Sequence, residues 1–292
     1  MEEKAFYRSR FSPSLSPAIS QLTEVLPASN TLAPPQVEAK QGVSRRKGKA
    51  DGAPVIAVTG LSLEARIAAG PRVRTLCGGC NVSHLTQSLE ASAKEAAAII
   101  SFGIAGALAP GIAPGTRLVA RAVIASNGAR YHGDPAWSEQ LAEALGGVPL
   151  ADIAGVDEPV PGHAEKRALH LKTGALAADT ESHIAAGIAA AYRLPFAAVR
   201  VIADPAHRQL PHAALVAIKP GGSLALGAIA RSVLSNPGQL PLLFAAALDA
   251  FAAFNALFRS RKMLTGTFGF GDFEELLLDM PAEDVFSGPL RV

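Results

Sequence analysis

The sequence predicts an α/β protein: a single three-layer α/β/α domain with a mixed, mainly parallel central sheet. Three observations carry that expectation. Short continuous apolar runs, such as Val55-Ile-Ala-Val58 and Phe196-Ala-Ala-Val-Arg-Val-Ile202, read as strands buried on both faces. They alternate with helix-patterned segments, as the crossovers between parallel strands require. The 292 residues, 49% hydrophobic and 18% charged, are enough for one large core or two modest ones and exclude disorder throughout.

Taken in order, residues 1–53 read as a disordered leader. They are rich in Ser, Pro and charge, lack helical or strand period, and end in the basic cluster Ser44-Arg-Arg-Lys-Gly-Lys49, which is too short to favour lipid or nucleic acid over a solvated linker. Order is expected from Pro54, with a strand that stops at Thr59-Gly60 and a helix over Leu61 to Ala69. A helix over Ala91 to Ala98 should precede a strand at Ile99 to Phe102, and Leu118 to Ile124 is a further strand. Asp134-Pro caps a helix running to about Leu145. Ile153 marks a strand, followed by helices over Ala164 to Thr173 and Ser182 to Tyr192 and the strand that ends at Ile202. Ser223 to Leu234 and Leu240 to Phe258 close the folded domain, residues 54–258, as two helices. The second is nearly long enough to span a bilayer, but Pro241, Asp249 and Asn255 favour a buried packing helix. Residues 259–292, including the Gly266 to Gly271 stretch, read as a loosely held C-terminal tail.

Charge and composition narrow the function classes. A net charge of +2 and 5% aromatic residues argue for no nucleic-acid partner and favour a small-molecule ligand. Met1 to Phe11 has no apolar h-region, so a cytoplasmic location is expected. Cys77 and Cys80 have C-x-x-C spacing, yet no second pair of Cys or His follows to complete a zinc site; partly buried thiols are favoured over redox chemistry, and no metal is expected.

Ligand chemistry points to four places. Ser101-Phe-Gly-Ile-Ala-Gly-Ala-Leu-Ala-Pro110 reads as a strand running into glycines where a small molecule approaches the backbone, or as a structural turn; the spacing alone does not decide. Glu64, Glu181 and Asp204 each stand just beyond a strand end, where open parallel sheets bind ligands. Glu64 opens a helix, where first-turn dipole pairing is the competing role. Asp204 precedes Pro205 at a forced turn, where partial desolvation would raise its pKa towards that of a proton donor, although the segment by itself favours an ordinary turn-forming Asp. Glu181 begins a helix and is suited to accepting two hydroxyl hydrogens, as from a ribose diol.

Five blocks, Gly60-Leu-Ser-Leu-Glu64, Ser101 to Pro110, Ala129-Arg-Tyr-His132, Ala178-Asp-Thr-Glu-Ser182 and Val199-Arg-Val-Ile-Ala-Asp204, together resemble the purine and uridine phosphorylase superfamily, especially nucleosidases of methylthioadenosine and adenosylhomocysteine. Glu64-Ala-Arg-Ile-Ala, Glu181-Ser-His and Leu210-Pro-His-Ala-Ala-Leu look most like the hopanoid-associated phosphorylases. The resemblance implies a nucleoside phosphorylase-like catalytic domain that cleaves the N-glycosidic bond of an adenosyl-lipid, adenosylhopane, and releases adenine without a cofactor. It implies Asp204 as general acid at adenine N7, Glu181 on the ribose hydroxyls and Glu64 orienting water or stabilising the cationic sugar. Ala105 and Gly106 would line sugar and base, and the Val160 backbone would meet the adenine edge.

Thr180, Ala203 and Ile104 depart from the family pattern, which bears on substrate contacts more than on fold. Phosphate is a candidate co-substrate, but a carboxylate stands where phosphorylases place an Arg. Arg66, two residues on along the helix, would project differently, and Arg117, Arg121 and Arg130 would serve only if the fold brought them close, so hydrolysis or weak phosphorolysis is preferred. Phe244, Leu248, Phe251, Asn255 and Phe258 share one helical stripe, which reads as core packing or as an exit for an apolar substrate tail with peripheral membrane contact. Pairing as a homodimer near Arg130 to His132 is implied by the same resemblance. The alternatives are a nucleosidase for soluble purine nucleosides and a catalytically silent nucleoside-binding protein.

Overall fold

The computed structural model describes residues 52–271 apart from positions 80, 218, 220, 224 and 265. The expected leader, but for Gly52 and Ala53, lies outside the described residues, as do Cys80 and residues 272–292.

The chain forms β1 (Val55–Thr59), α1 (Ser62–Ala68), β2 (Val73–Cys77), α2 (Val82–Ala93), β3 (Ala98–Ala107), β4 (Arg117–Ala125), β5 (Arg130–His132) and α3 (Pro135–Ala144). There follow β6 (Leu150–Gly155), α4 (His163–Thr173), β7 (Ala177–Asp179), α5 (Ser182–Tyr192), β8 (Phe196–Asp204), α6 (His212–Leu215), α7 (Leu226–Ser235) and α8 (Leu240–Met263). The strands make one eight-stranded sheet in the order β2-β1-β3-β7-β6-β4-β5, with β8 pairing both β3 and β4. Most neighbours run parallel; β3–β7, β4–β5 and β4–β8 are antiparallel. The mixed, mainly parallel α/β sheet read from the sequence is the one observed.

Alternation along the central strands sorts side chains into two cores. Ile100 and Phe102 of β3 and Val199 and Val201 of β8 face one layer, with Trp137 and Leu141 of α3 and Ala253 and Leu257 of α8. Ile99 and Ala198 face the other, with Leu85 and Leu89 of α2 and Ile184 and Ala185 of α5. Local chemistry fixes the ends: Asp134 accepts a hydrogen bond from the Trp137 amide at 3.0 Å ahead of Pro135, and Gly174 ends α4 at φ 70°.

One departure matters for the site. β7 joins the end of β3 at Gly106 and Ala107, then β6, while β8 links β3 back to β4. Five strands therefore close on one another, so the ligand-binding ends surround a mouth instead of flanking the crevice of an open sheet.

Four other expectations are corrected. The helix placed at Ala91 to Ala98 is α2, which starts at Val82 under an Asn81 cap and ends at Ala93, because Ala98 already pairs with Val55. The helix placed from Ser223 begins at Leu226. α8 is not a buried packing helix: Ala253, Leu257 and Ser260 are buried, while Phe244 and Phe251 are 68% and 69% exposed. Its apolar residues occur all round the helix, so period alone does not say which side packs.

Finally, α8 runs on to Met263, and the described residues after it, up to 271, are held, not loose. Phe268 is fully buried with its ring 5.1 Å from that of Phe102, its carbonyl accepts from Trp137 Nε1 at 3.0 Å, and the Arg261 guanidinium lies 4.4 Å over its face. The glycines that suggested looseness allow the tight path that inserts this ring. Replacing Phe268 with Ala is expected to lower unfolding free energy by about 3–5 kcal/mol, the usual cost of emptying a buried phenyl site. Urea denaturation measures it, and a loss below about 1 kcal/mol would contradict the packing role.

Candidate active site

The strand ends surround a cavity of about 170 Å³. Glu64, Ala105, Gly106, Val160, Glu181 and Asp204, read from distant parts of the sequence, all line it, together with Gly60, Ile104, Thr180 and Lys166.

Glu64 sits in the first turn of α1 and is 1% exposed. One of its oxygens accepts from the Gly60 and Leu61 amides, both at 2.8 Å, and the other from the Ile104 amide at 2.7 Å. It thus satisfies amides the helix start would leave orphaned and ties α1 to β3. The first-turn role weighed for Glu64 and its place in the cavity coexist. Burial raises its pKa, against the Arg200 charge and the three amides, which lower it.

Asp204 ends β8. The β3–β8 register slips between Ala105 and Gly106, so Gly106 faces Asp204 where strict pairing would bring Ala203. Such a bulge re-aims a side chain. A Cβ on Gly106 would stand 3.1 Å from an Asp204 oxygen, which gives the second glycine of the Gly103/Gly106 pair its reason. At Gly103 the space goes to protein groups instead, since a Cβ there would meet Glu64 and Arg200, each at 2.6 Å. Burial pushes the Asp204 pKa up, while its ion pair with Lys166 pulls it down and Asp249 adds a further upward push.

Glu181 stands at the start of α5, beside β7, and its side chain makes no capping bond to the helix. Its pKa is pushed up to about 7, chiefly by burial; Arg200 opposes this, and the charges of Asp179 and Glu64 reinforce it. The Thr180 hydroxyl donates to one Glu181 oxygen. The departure from the family pattern at Thr180 therefore has a definite contact, a hydrogen bond to the carboxylate. Gly60 is small for the same reason: a Cβ there would lie 2.8 Å from that oxygen.

Two working residues escaped the sequence reading. Arg200 of β8 is fully buried and forks onto Asp179, with Nη2 to Oδ1 at 2.9 Å and Nε to Oδ2 at 3.1 Å, and it donates to the Ser101 and Ser182 hydroxyls. Its Nη2 is 3.9 Å from Glu181, and Nη1 has no hydrogen-bond partner among the described residues. Asp179 in turn caps α5, accepting the Glu181 and Ser182 amides at 2.9 and 2.6 Å. An arginine inside a continuous apolar strand was the available signal, since such a charge persists only when paired.

The second is Lys166, 1% exposed on α4, whose Nζ donates to Asp204 and to the Pro205 and Arg208 carbonyls at 3.2 and 3.1 Å. It falls on the same helical side as Leu169, His170 and Thr173, a face that packs against neighbouring chain.

The remaining cations are elsewhere. Arg117 donates to Ser260 at 2.9 Å, Arg121 and Arg130 pair with Asp152, and Arg66 lines a different groove. Lys166 is the cation of the cavity lining, and its three donors are committed to protein oxygens. Among the described residues no group of three or more His, Cys, Asp or Glu could hold a metal. Cys77 packs its thiol against the Gly60 and Gly221 carbonyls at 3.5 and 3.6 Å, and burial raises its pKa, which fits an inert thiol.

Comparison with known proteins agrees with this architecture. The sequence profile of the phosphorylase superfamily matches residues 20–235. The fold is similar to 5′-methylthioadenosine/S-adenosylhomocysteine nucleosidase of Helicobacter pylori, at 14% identity over 73% of this chain and 97% of that one, with a TM-score of 0.50. It is equally similar to futalosine hydrolase of Helicobacter pylori, at 14% identity over 73% of this chain and 96% of that one, with a TM-score of 0.50. No curated protein matches the sequence.

The raised Glu181 pKa has a measurable sign. Titrating at about 7 in the fold against an ordinary 4.5, Glu181 keeps in the native state a proton the unfolded chain has lost. Its contribution to stability is present in full below the lower value and is lost as pH rises through the upper one. Glu181→Gln removes that titration. Urea midpoints at about pH 5 and about pH 8 are therefore expected to fall more for the native chain than for the variant; equal falls would mean that Glu181 titrates normally.

Proposed function

We propose, from the premise that the chain belongs to the phosphorylase superfamily, that it is a nucleosidase releasing adenine from an adenosyl substrate whose 5′ end carries an apolar tail, with adenosylhopane as the candidate lipid. One observation carries the reading: Glu64, Glu181 and Asp204 line a single cavity in three different electrostatic settings. Departure of the base passes through an oxocarbenium-like sugar, which needs a proton for the base and negative charge near the sugar.

Asp204, whose pKa burial raises, gives its proton to adenine N7 as the C1′–N9 pair of electrons goes to the base. Lys166 holds the Asp204 carboxyl in place. Glu181, with one oxygen accepting from Thr180, takes the ribose hydroxyls on its remaining lone pairs. Glu64 is held by three amides and keeps one free lone pair, on the oxygen that accepts from Ile104; with it Glu64 orients the attacking water and takes its proton. Ala105 and Gly106 leave the sugar and base room against β3, and Val160 stands at the adenine edge. The apolar side chains of Leu108, Val156 and Leu210 in the same lining suit a substrate with little charge.

Water is favoured over phosphate by the cation inventory. A phosphate site needs free donors, and those of Lys166 are already filled by Asp204, Pro205 and Arg208. Adenine release without added phosphate is the expected result, and strict dependence on phosphate would refute it. A substrate panel of 5′-methylthioadenosine, adenosine and an adenosyl-lipid tests the tail, the lipid being expected to give the highest kcat/KM.

Asp204→Asn should lower kcat about a hundredfold to ten-thousandfold with KM nearly unchanged, as loss of a positioned acid does. Retention of most turnover would remove Asp204 from the chemistry. In Lys166→Met the loss of the cation leaves burial and Asp249 pushing the Asp204 pKa further up, opposed by Arg208 alone. The high-pH limb of the kcat profile, where the acid loses its proton, is then expected to move to higher pH, while Lys166→Arg holds it nearer the native position.

A further inference from the structure

Helix α8 presents to solvent what a soluble helix normally buries. Leu240, Phe244, Leu248, Phe251 and Phe258 recur at three- and four-residue spacing and are all exposed, so they form one apolar stripe interrupted by Asn255 alone. The stripe is about 27 Å long at 1.5 Å per residue. The helix is long and apolar enough to cross a membrane: within Pro237–Met263 an 18-residue window has a mean hydropathy of 1.7, and 11% of that window is buried. It cannot leave the domain to do so without breaking the fold. Ala253 and Leu257 belong to the core, and Ser260 accepts from Arg117 at 2.9 Å.

The stripe continues onto α1. Leu63, Arg66 and Ile67 form a groove of about 450 Å³ with Phe251, Phe254 and Phe258. Positive charge borders it: Arg66, Arg259 and Lys262 are exposed, Lys262 lying 4.6 Å over the Phe258 ring. No exposed carboxylate occurs among the described residues of α1, α7 and α8. Glu64 is buried in the cavity, and Asp249 is turned to Arg208 at 2.7 Å. An apolar stripe whose own helices carry exposed cations and no exposed carboxylate is the pattern of a helix lying in a membrane interface over anionic lipid.

We propose that the α1–α8 face docks this domain in the plane of an anionic bilayer, with Phe244, Leu248 and Phe251 entering the headgroup–acyl boundary and Arg66, Arg259 and Lys262 on the lipid phosphates. The proposal is independent of the nucleosidase reading, because none of these residues lines the cavity.

Flotation of the full chain with vesicles tests it. The native chain is expected to float with phosphatidylglycerol–phosphatidylcholine vesicles and far less with phosphatidylcholine alone. Arg259→Gln with Lys262→Gln should weaken partition to the anionic vesicles about 25-fold, at about fivefold per cation. Phe244→Asp with Phe251→Asp should abolish flotation on both while leaving the melting temperature and adenine release from a soluble nucleoside unchanged. A native chain that stays below the gradient with anionic vesicles overturns the proposal, and so does flotation indifferent to the Phe substitutions. Sedimentation velocity identifies the rival occupant: a dimer that the Phe substitutions convert to monomer, with no flotation, would assign the face to a second copy.

Discussion

The structure depends on one buried guanidinium. Arg200 is enclosed at the centre of the sheet with Asp179 against it and Glu64 and Glu181 close enough to feel its charge. Burying three carboxylates together is prohibitive without a cation, and burying the cation is equally so without them. Burial alone would lower the Arg200 pKa, yet the surrounding acids raise it, so its charge is retained. Because Arg200 lies on β8, Glu64 on α1 and Asp179 and Glu181 at the β7–α5 junction, its hydrogen bonds and charge fix three chain segments that are remote in sequence. Losing it would leave uncompensated acids in the interior and should compromise folding before chemistry.

The closed run of strands is what makes that arrangement reachable. With β8 between β3 and β4, and β7 crossing the end of β3, the C-terminal ends of β1, β3, β7 and β8 meet around one volume. Glycines then decide how closely the acids approach. At Gly60, Gly103 and Gly106 a methyl group would collide with Glu181, Glu64 or Asp204. They are small to admit the protein's own carboxylates at least as much as to admit a ligand.

Much of this was legible in the sequence, for physical reasons that can be named. Continuous apolar strands give the layer architecture because a parallel sheet buries both faces, and Asp134-Pro gives the start of α3 because its cap is local. Glu64, Glu181 and Asp204 were legible as acids beyond strand ends, and the family blocks supplied Val160. What stayed hidden was decided by tertiary pairing. Lys166 reads as one more charged residue on a polar helix until Asp204 arrives opposite it, and Arg200 reads as a strand interruption until Asp179 does. The exposure of α8 and the burial of Phe268 were inverted for the same reason. A helix apolar all round and a glycine-rich segment do not encode which neighbour covers them.

The three acids differ in what opposes their burial, and that difference is the physical content of the site. Glu64 has three amides, groups that cannot titrate or swing away, so its charge is favoured by fixed dipoles. Glu181 has one hydroxyl and a shared arginine 3.9 Å off, and its pKa is pushed up to about 7. Asp204 has a single lysine that is itself anchored by two carbonyls. A carboxyl opposed chiefly by one cation responds to anything that alters that ion pair, including movement of the Pro205–Arg208 turn that supplies the carbonyls. Arg208 is in turn ion-paired with Asp249 of α8 at 2.7 Å. The acid at the end of β8 and the apolar helix at the surface are thus joined by two ion pairs, Asp204–Lys166 and Arg208–Asp249, bridged where Lys166 donates to the Arg208 carbonyl.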